Sequence, residues 1–287
     1  MAADLGKSPG PPVTGGPSAA RAALRDVGHD PGVPKPDAMI KGDGITRTFG
    51  GLKAVDVDHL EVQRGVITAL IGPNGAGKTT FFNLLTGFDT PDTGDRSFNG
   101  RSLNKVSASR IARMGMVRTF QLTKVLSKLT VLENMRLGAT GQRGERFWAG
   151  PFAFLWRDQE KSNTERAREL LARFKLDAKE TDFAGSLSGG QRKLLEMARA
   201  LMVRPELVML DEPMAGVNPV LIDRMMDNIN RANREDGITF VVVEHNLDAM
   251  KALCHRLVVL SRGAIIADGR PGDVVQDPAV VEAYLAG

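Results

Sequence analysis

Two stretches of the chain carry residues whose types and spacing suit phosphate chemistry. Gly72-Pro73-Asn74-Gly75-Ala76-Gly77-Lys78-Thr79, followed by Thr80, fits the pattern G-x-x-x-x-G-K-[ST]. Glycines let a backbone wrap a phosphate chain with its N–H groups pointing inward. A helix that follows offers its N-terminus, whose dipole favours an anion. Lys78 at this spacing reaches the β- and γ-phosphates, and the Thr79 hydroxyl is placed for Mg²⁺. The second stretch, Leu207-Val208-Met209-Leu210-Asp211-Glu212, is an apolar strand ending in two carboxylates. Asp211 would hold Mg²⁺ directly or through water, and Glu212 would polarise the water that attacks the γ-phosphate. Acids are common at strand ends, so this pair gains its meaning from the phosphate loop.

Both stretches need a parallel sheet, because strand C-termini form its ligand edge. The pattern supplies one. Residues 66–71 are a short apolar run, as expected of a strand buried on both faces, and a helix is expected from Lys78 to Thr86. Residues 45–48 and 54–62 have strand character. The middle of the chain reads mostly as helix, at 107–114, 131–137 and 161–174. Strand and helix then alternate: 207–210 strand, 219–234 helix, 238–243 strand, 246–254 helix, 256–260 strand. Such alternation implies an α/β fold with helices on the faces of a parallel sheet.

Bulk properties exclude several classes. A hydrophobic share of 42% and a charged share of 25% fit a globular core. The formal charge of +4 is too small to imply a nucleic-acid groove, so no nucleic-acid partner is expected. A single cysteine, Cys254, cannot build a disulfide framework and reads as a small core residue. No run reaches the roughly 18 apolar residues that span a bilayer, and residues 1–21 lack the apolar core of a secretory signal. Residues 1–36 hold seven of the fifteen prolines, with glycines among them, and read as a disordered tail whose deletion leaves folding and activity intact. Folded sequence begins near Met39.

Leu187-Ser188-Gly189-Gly190-Gln191, just upstream of the second stretch, resembles the signature sequence of ABC ATPases. The other two stretches then match that family's Walker A and Walker B, and the resemblance covers residues 39–287. It implies a P-loop NTPase cassette: a mainly parallel core sheet, an antiparallel β subdomain, and a helical signature subdomain at about residues 122–190. It implies ATP and Mg²⁺ as cofactors. Ser188, Gly189, Gly190 and Gln191 would bind the γ-phosphate of ATP held by a second cassette, so that two ATPs are sandwiched in a homo- or heterodimer. Gln121, after a strand at 116–120, matches the Q-loop glutamine that touches the metal or water and senses the permease. His245 matches the switch histidine at the γ-phosphate. Phe49 falls where the family stacks an aromatic on adenine, although a packed core Phe is the other reading. Ala215-Gly216-Val217-Asn218 lies at the D-loop, whose family pattern usually ends in Asp.

Within the family the chain resembles the LivG-type ATPases of branched-chain amino-acid importers. The stretches Phe49-Gly50-Gly51-Leu52-Lys53-Ala54-Val55, the run from Ile111 through Arg118-Thr119-Phe120-Gln121, Ala215-Gly216-Val217-Asn218-Pro219 and the ending Ala283-Tyr284-Leu285-Ala286-Gly287 carry it. The resemblance implies separate transmembrane permease subunits, an extracytoplasmic solute-binding protein, and a peripheral place on the cytoplasmic membrane face. It also implies an insertion at about residues 141–160, holding Phe147, Trp148, Phe152, Phe154 and Trp156, as a docking surface or a satellite core. Gly189 stands where many LivG-type chains have an aromatic, which leaves other cargoes open: urea, short amides, other amino acids or an exported lipid. A soluble ABC ATPase of DNA repair or translation is the remaining rival, but neither a long coiled-coil insertion nor a second cassette is present.

Overall fold

The computed structural model describes residues 16–119, 125–139 and 157–285. The insertion at 141–160 therefore lies outside the described residues up to residue 156. Helix α1 (Gly16–Leu24) precedes strands β1 (Ala38–Phe49), β2 (Leu52–Gln63) and β3 (Ile67–Ile71). Helix α2 (Lys78–Thr86) leads to β4 (Thr93–Phe98), β5 (Arg101–Ser102), α3 (Ala108–Arg113) and β6 (Met116–Arg118). Helices α4 (Val131–Arg136), α5 (Arg157–Arg173) and α6 (Gly189–Leu201) form the middle of the chain. The rest alternates: β7 (Leu207–Asp211), α7 (Pro219–Glu235), β8 (Thr239–Val243), α8 (Leu247–Leu253), β9 (Arg256–Ser261), β10 (Ala264–Gly269), α9 (Pro271–Val274) and α10 (Pro278–Leu285).

Two sheets result. The antiparallel one runs β2-β1-β4-β5, and the larger one runs β10-β9-β3-β8-β7-β6. In the larger sheet β9, β3, β8, β7 and β6 are parallel, with β10 antiparallel on the edge. Every residue of β3, β7 and β8 is buried, as a sheet covered on both faces requires. One core fills the space between the two sheets around Phe81, Phe82 and Phe98. The other joins the opposite face of the parallel sheet to α4, α5 and α6 through Met135, Leu171 and Leu195. Cys254 is buried there, and burial pushes its thiol up to about 12, so it is the inert core residue its setting suggests.

Residues 16–36 depart from the expected disordered tail. Ala20 and Leu24 of α1 pack on Val66, and the Gln63 side-chain amide donates to the Ala20 carbonyl at 2.6 Å. Lys35, stiffened between Pro34 and Pro36, is buried; its ammonium meets Asp268 at 2.6 Å and its N–H donates to Glu61 at 2.5 Å. Asp268 also pairs with Arg256 at 2.6 Å, with no exposure on either side chain. Burial would raise the Glu61 carboxyl, but hydrogen bonds from His59, the Lys35 N–H and Lys41 outweigh it and hold the group at about 2. Composition gives no sign of this because only a few apolar residues anchor the segment, among them Ala20, Leu24 and Val27, and buried polar contacts add to them. Residues 1–15 lie outside the described residues.

The same region contains a pH-sensitive contact. His255 Nδ1 accepts the Ile67 N–H at 2.9 Å, and burial, aided by the positive charge of Arg21, lowers its pKa from 6.5 to about 4. The unfolded chain therefore binds the proton more readily, so this contribution to stability is complete above pH 6.5 and is lost as pH falls toward 4. Melting curves across that window should fall more steeply for the wild type than for His255→Asn, which keeps an acceptor but does not titrate. Identical slopes would contradict the assignment.

Candidate active site

Three neighbouring strands deliver the predicted residues to one rim. In the order β3-β8-β7, Leu70 pairs with Val243 and Val243 with Asp211, so the three strands end level. The loop 72–77 leaves β3, Glu244 and His245 leave β8, and Glu212 leaves β7, all on this edge. Parallel strands put their C-termini together, and the fold thus gathers motifs that are far apart in sequence.

The loop enters α2 through Gly77, which adopts the left-handed conformation (φ 95°). A Cβ there would stand 2.2 Å from the Ala54 carbonyl oxygen, so both the backbone angle and the space require glycine. No side chain caps the start of α2, and its first N–H groups are left for a ligand. The Lys78 ammonium curls back into the loop and donates to the carbonyls of Gly72 at 2.7 Å and Pro73 at 2.9 Å. Burial lowers its pKa, with Glu212 and Asp211 opposing that shift, so both carboxylates lie within electrostatic reach of the loop. Thr79 is exposed on the first turn. A groove of about 400 Å³ runs along the loop between Pro73, Asn74, Arg262 and Glu282 of α10. Burial pushes the phenol of Tyr284, also on α10, up to about 12, partly offset by the Gly72 backbone.

Asp211 is buried. Its Oδ2 accepts from Arg118 at 2.7 Å, while Oδ1 is shielded from solvent and has no hydrogen-bond partner among the described residues. An orphaned buried carboxylate oxygen is costly and is what a hard cation or its water would satisfy. The exposed Thr79 hydroxyl would add a second oxygen donor of the kind Mg²⁺ uses, with the remaining positions left to water and phosphate. The residues present fit that ion. Glu212 takes a positive φ of 48°, rare for a non-glycine residue, and its N–H donates to the Val243 carbonyl at 2.9 Å.

Two residues without a sequence-level role hold this strained turn. Lys193 of α6 donates to the carbonyls of Glu212 at 3.1 Å and Ala215 at 2.6 Å. Glu244, fully buried, accepts the Met214 N–H at 2.7 Å and the His245 N–H at 3.2 Å, tying the turn after β8 to the turn after β7. The only signal in the sequence was their adjacency to motifs: Lys193 two residues after Gln191, Glu244 beside His245. The His245 ring itself is 59% exposed and faces solvent on the rim.

The signature turn lies apart. Ser188 caps α6, its hydroxyl accepting the Gln191 N–H at 3.3 Å while the Gln191 side chain accepts the Ser188 N–H at 3.0 Å. Among the described residues no hydrogen bond joins residues 188–191 to the loop at 72–80. A Cβ on Gly190 would meet Leu221 at 2.4 Å and Val217 at 3.4 Å, so glycine lets α6 seat against the D-loop and α7. Asn218 caps α7 by accepting the Val220 N–H at 2.9 Å, with Pro219 in the first turn; it thus performs the capping that an Asp would perform. Phe49 is 48% exposed at the end of β1, with the Arg47 guanidinium 4.8 Å from its ring centre, so it is not a core residue. Gln121 lies outside the described residues.

The sequence profile of the ABC transporter family matches residues 55–215, and that of the branched-chain amino acid ATP-binding cassette transporter family matches 264–285. The probable branched-chain amino acid transport ATP-binding protein LivG of Archaeoglobus fulgidus is 40% identical over 247 residues, 86% of this chain and 95% of that protein. The high-affinity branched-chain amino acid transport ATP-binding protein BraF of Pseudomonas aeruginosa is 37% identical, over 86% of this chain and 97% of its own length. Among solved structures, an ATP-binding cassette of an ABC transporter in its ADP conformation superposes with a TM-score of 0.75 at 37% identity, covering 87% of this chain and 99% of that one. A nucleotide-free cassette gives 0.74 at 37% identity, with 86% and 98% covered. With a phosphate loop, two strand-end carboxylates and a capped signature helix on this fold, the chain belongs to the ABC transporter family as an ATP-binding cassette.

Proposed function

We propose that this ABC ATPase energises uptake of branched-chain or related amino acids through separate permease subunits, from the cytoplasmic face of the membrane. The cargo rests on the match of residues 264–285 to the branched-chain profile, beside the names of the relatives. Among the described residues no helix is long and apolar enough to cross a membrane; in this reading solute passes through the permease subunits. The cassette is assigned to residues 39–287, with residues 122–190 as its helical subdomain.

In this reading adenine stacks on the exposed ring of Phe49. The loop 72–80 wraps the phosphates, and Lys78 exchanges its two carbonyl partners for the β- and γ-phosphates. Thr79, Asp211 and Gln121 would hold Mg²⁺, which neutralises phosphate charge when bound. Glu212 orients the attacking water, and the exposed His245 ring is free to contact the γ-phosphate. Ser188 and Gly189, exposed on their own chain, serve with Gly190 and Gln191 the ATP of a second cassette. Closure and reopening of that pair drive the permease, which takes its solute from an extracytoplasmic binding protein.

The test is uptake by the complex that co-purifies with this chain, reconstituted in vesicles with its binding protein. ATP-dependent accumulation of leucine, isoleucine or valine is the expected result. A complex that hydrolyses ATP yet accumulates none of them, while transporting another solute, would overturn the cargo and leave the ATPase role standing.

A further inference from the structure

Arg118, the last residue of β6, joins the two halves of the candidate metal site. One end of its guanidinium donates to Asp211 Oδ2 at 2.7 Å. The other end donates to Asn83 Oδ1 at 2.6 Å and Thr86 Oγ at 3.1 Å. Asn83 and Thr86 are three residues apart on α2 and so share a face of the helix that begins with Lys78 and Thr79. The guanidinium lies 5.1 Å from the Phe82 ring centre and 5.4 Å from that of Phe88, and its side chain is only 6% exposed. A planar fork held on both ends and against two rings has little freedom.

We propose that Arg118 is a positioning residue for metal binding. By fixing Asp211 Oδ2 against α2, it leaves Oδ1 as the open acceptor and sets its spacing from the Thr79 hydroxyl. The inference rests on the reading of Asp211 and Thr79 as Mg²⁺ ligands. It makes a prediction that charge alone would reverse. A fixed cation beside a metal site repels the metal, so deleting the charge would tighten binding if position did not matter. A role confined to holding β6 on α2 would instead weaken nucleotide and metal binding together.

The test uses the full chain and Mn²⁺ as the probe, with free Mn²⁺ read by electron paramagnetic resonance in the presence of saturating ADP. Nucleotide affinity is measured separately in EDTA. Arg118→Gln should weaken Mn²⁺ about 10–100-fold, the usual cost of losing a partner behind a metal ligand, with metal-free ADP affinity held within about twofold. Arg118→Lys keeps the charge but not the fork, so it should fall between Arg118→Gln and wild type; it also decides the matter should the glutamine variant fail to fold. Unchanged or tighter Mn²⁺ binding in either folded variant would overturn the proposal, as would equal losses of ADP and Mn²⁺. Asp211→Asn separates the two readings. If it leaves Mn²⁺ affinity intact, the metal assignment fails; if it weakens Mn²⁺ while Arg118→Gln does not, only the role of Arg118 fails.

Discussion

Glu212→Gln should bind ATP normally and turn it over about 10²–10⁴-fold more slowly, the range a positioned general base contributes. The substitution keeps size and shape, so the turn it occupies should persist. That turn is held from several sides: the Glu212 N–H on Val243, its carbonyl on Lys193, and the following residues on Glu244. A positive φ at a non-glycine residue costs on the order of 1–3 kcal/mol and survives only where surroundings enforce it. Here they do, and the enforced turn places residue 212 at the sheet edge, directly after Asp211. Steady-state hydrolysis within a few-fold of wild type would remove Glu212 from its assigned role.

Lys35→Met should destabilise the cassette by about 3 kcal/mol, the low end for breaking a buried ion pair, because Arg256 still faces Asp268. For a domain of this size that corresponds to a fall in Tm of roughly 6–12 °C. Burial lowers the Lys35 pKa, and Asp268, with a smaller part from Glu61, opposes that shift. Deleting residues 1–36 should likewise lower Tm, because it removes Lys35, the N–H on Glu61 and the α1 contacts at once. A truncated chain that melts with the full one would show that residues 16–36 add nothing to the fold.

The central sheet was legible because its strands are buried on both faces and read as unbroken apolar runs; β3, β7 and β8 are of this kind. Helix α2 begins and ends where its pattern places it, from the residue after Gly77 to the residue before Gly87. Strand β4 was not legible. Thr93–Phe98 offers one large apolar side chain, and its strand character comes from pairing with β1 rather than from its own pattern. Helix α1 hid among prolines and glycines, and its docking depends on polar groups supplied by distant residues such as Gln63 and Asn233.

The candidate site divides in the same way. Its phosphate loop and carboxylates could be read because their chemistry is local: a glycine pattern makes a cradle, and an apolar strand ending in acids makes a rim. Arg118, Lys193 and Glu244 could not, since each acts through a group brought near only by the folded sheet. The sequence admits two readings of Phe49, and its exposure removes the buried one. Asn218 looked like a departure in a charged loop, yet as a helix cap it does what an aspartate would do there.

The most direct measurement is the fate of the nucleotide at this chain's site in the purified transporter complex after a single exposure to Mg-ATP. Wild type should yield ADP, and the complex carrying Glu212→Gln should retain intact ATP at that site after free nucleotide is removed. Conversion to ADP at the wild-type rate in the variant would contradict hydrolysis directed by Glu212, and failure of either complex to hold nucleotide would contradict the phosphate loop itself.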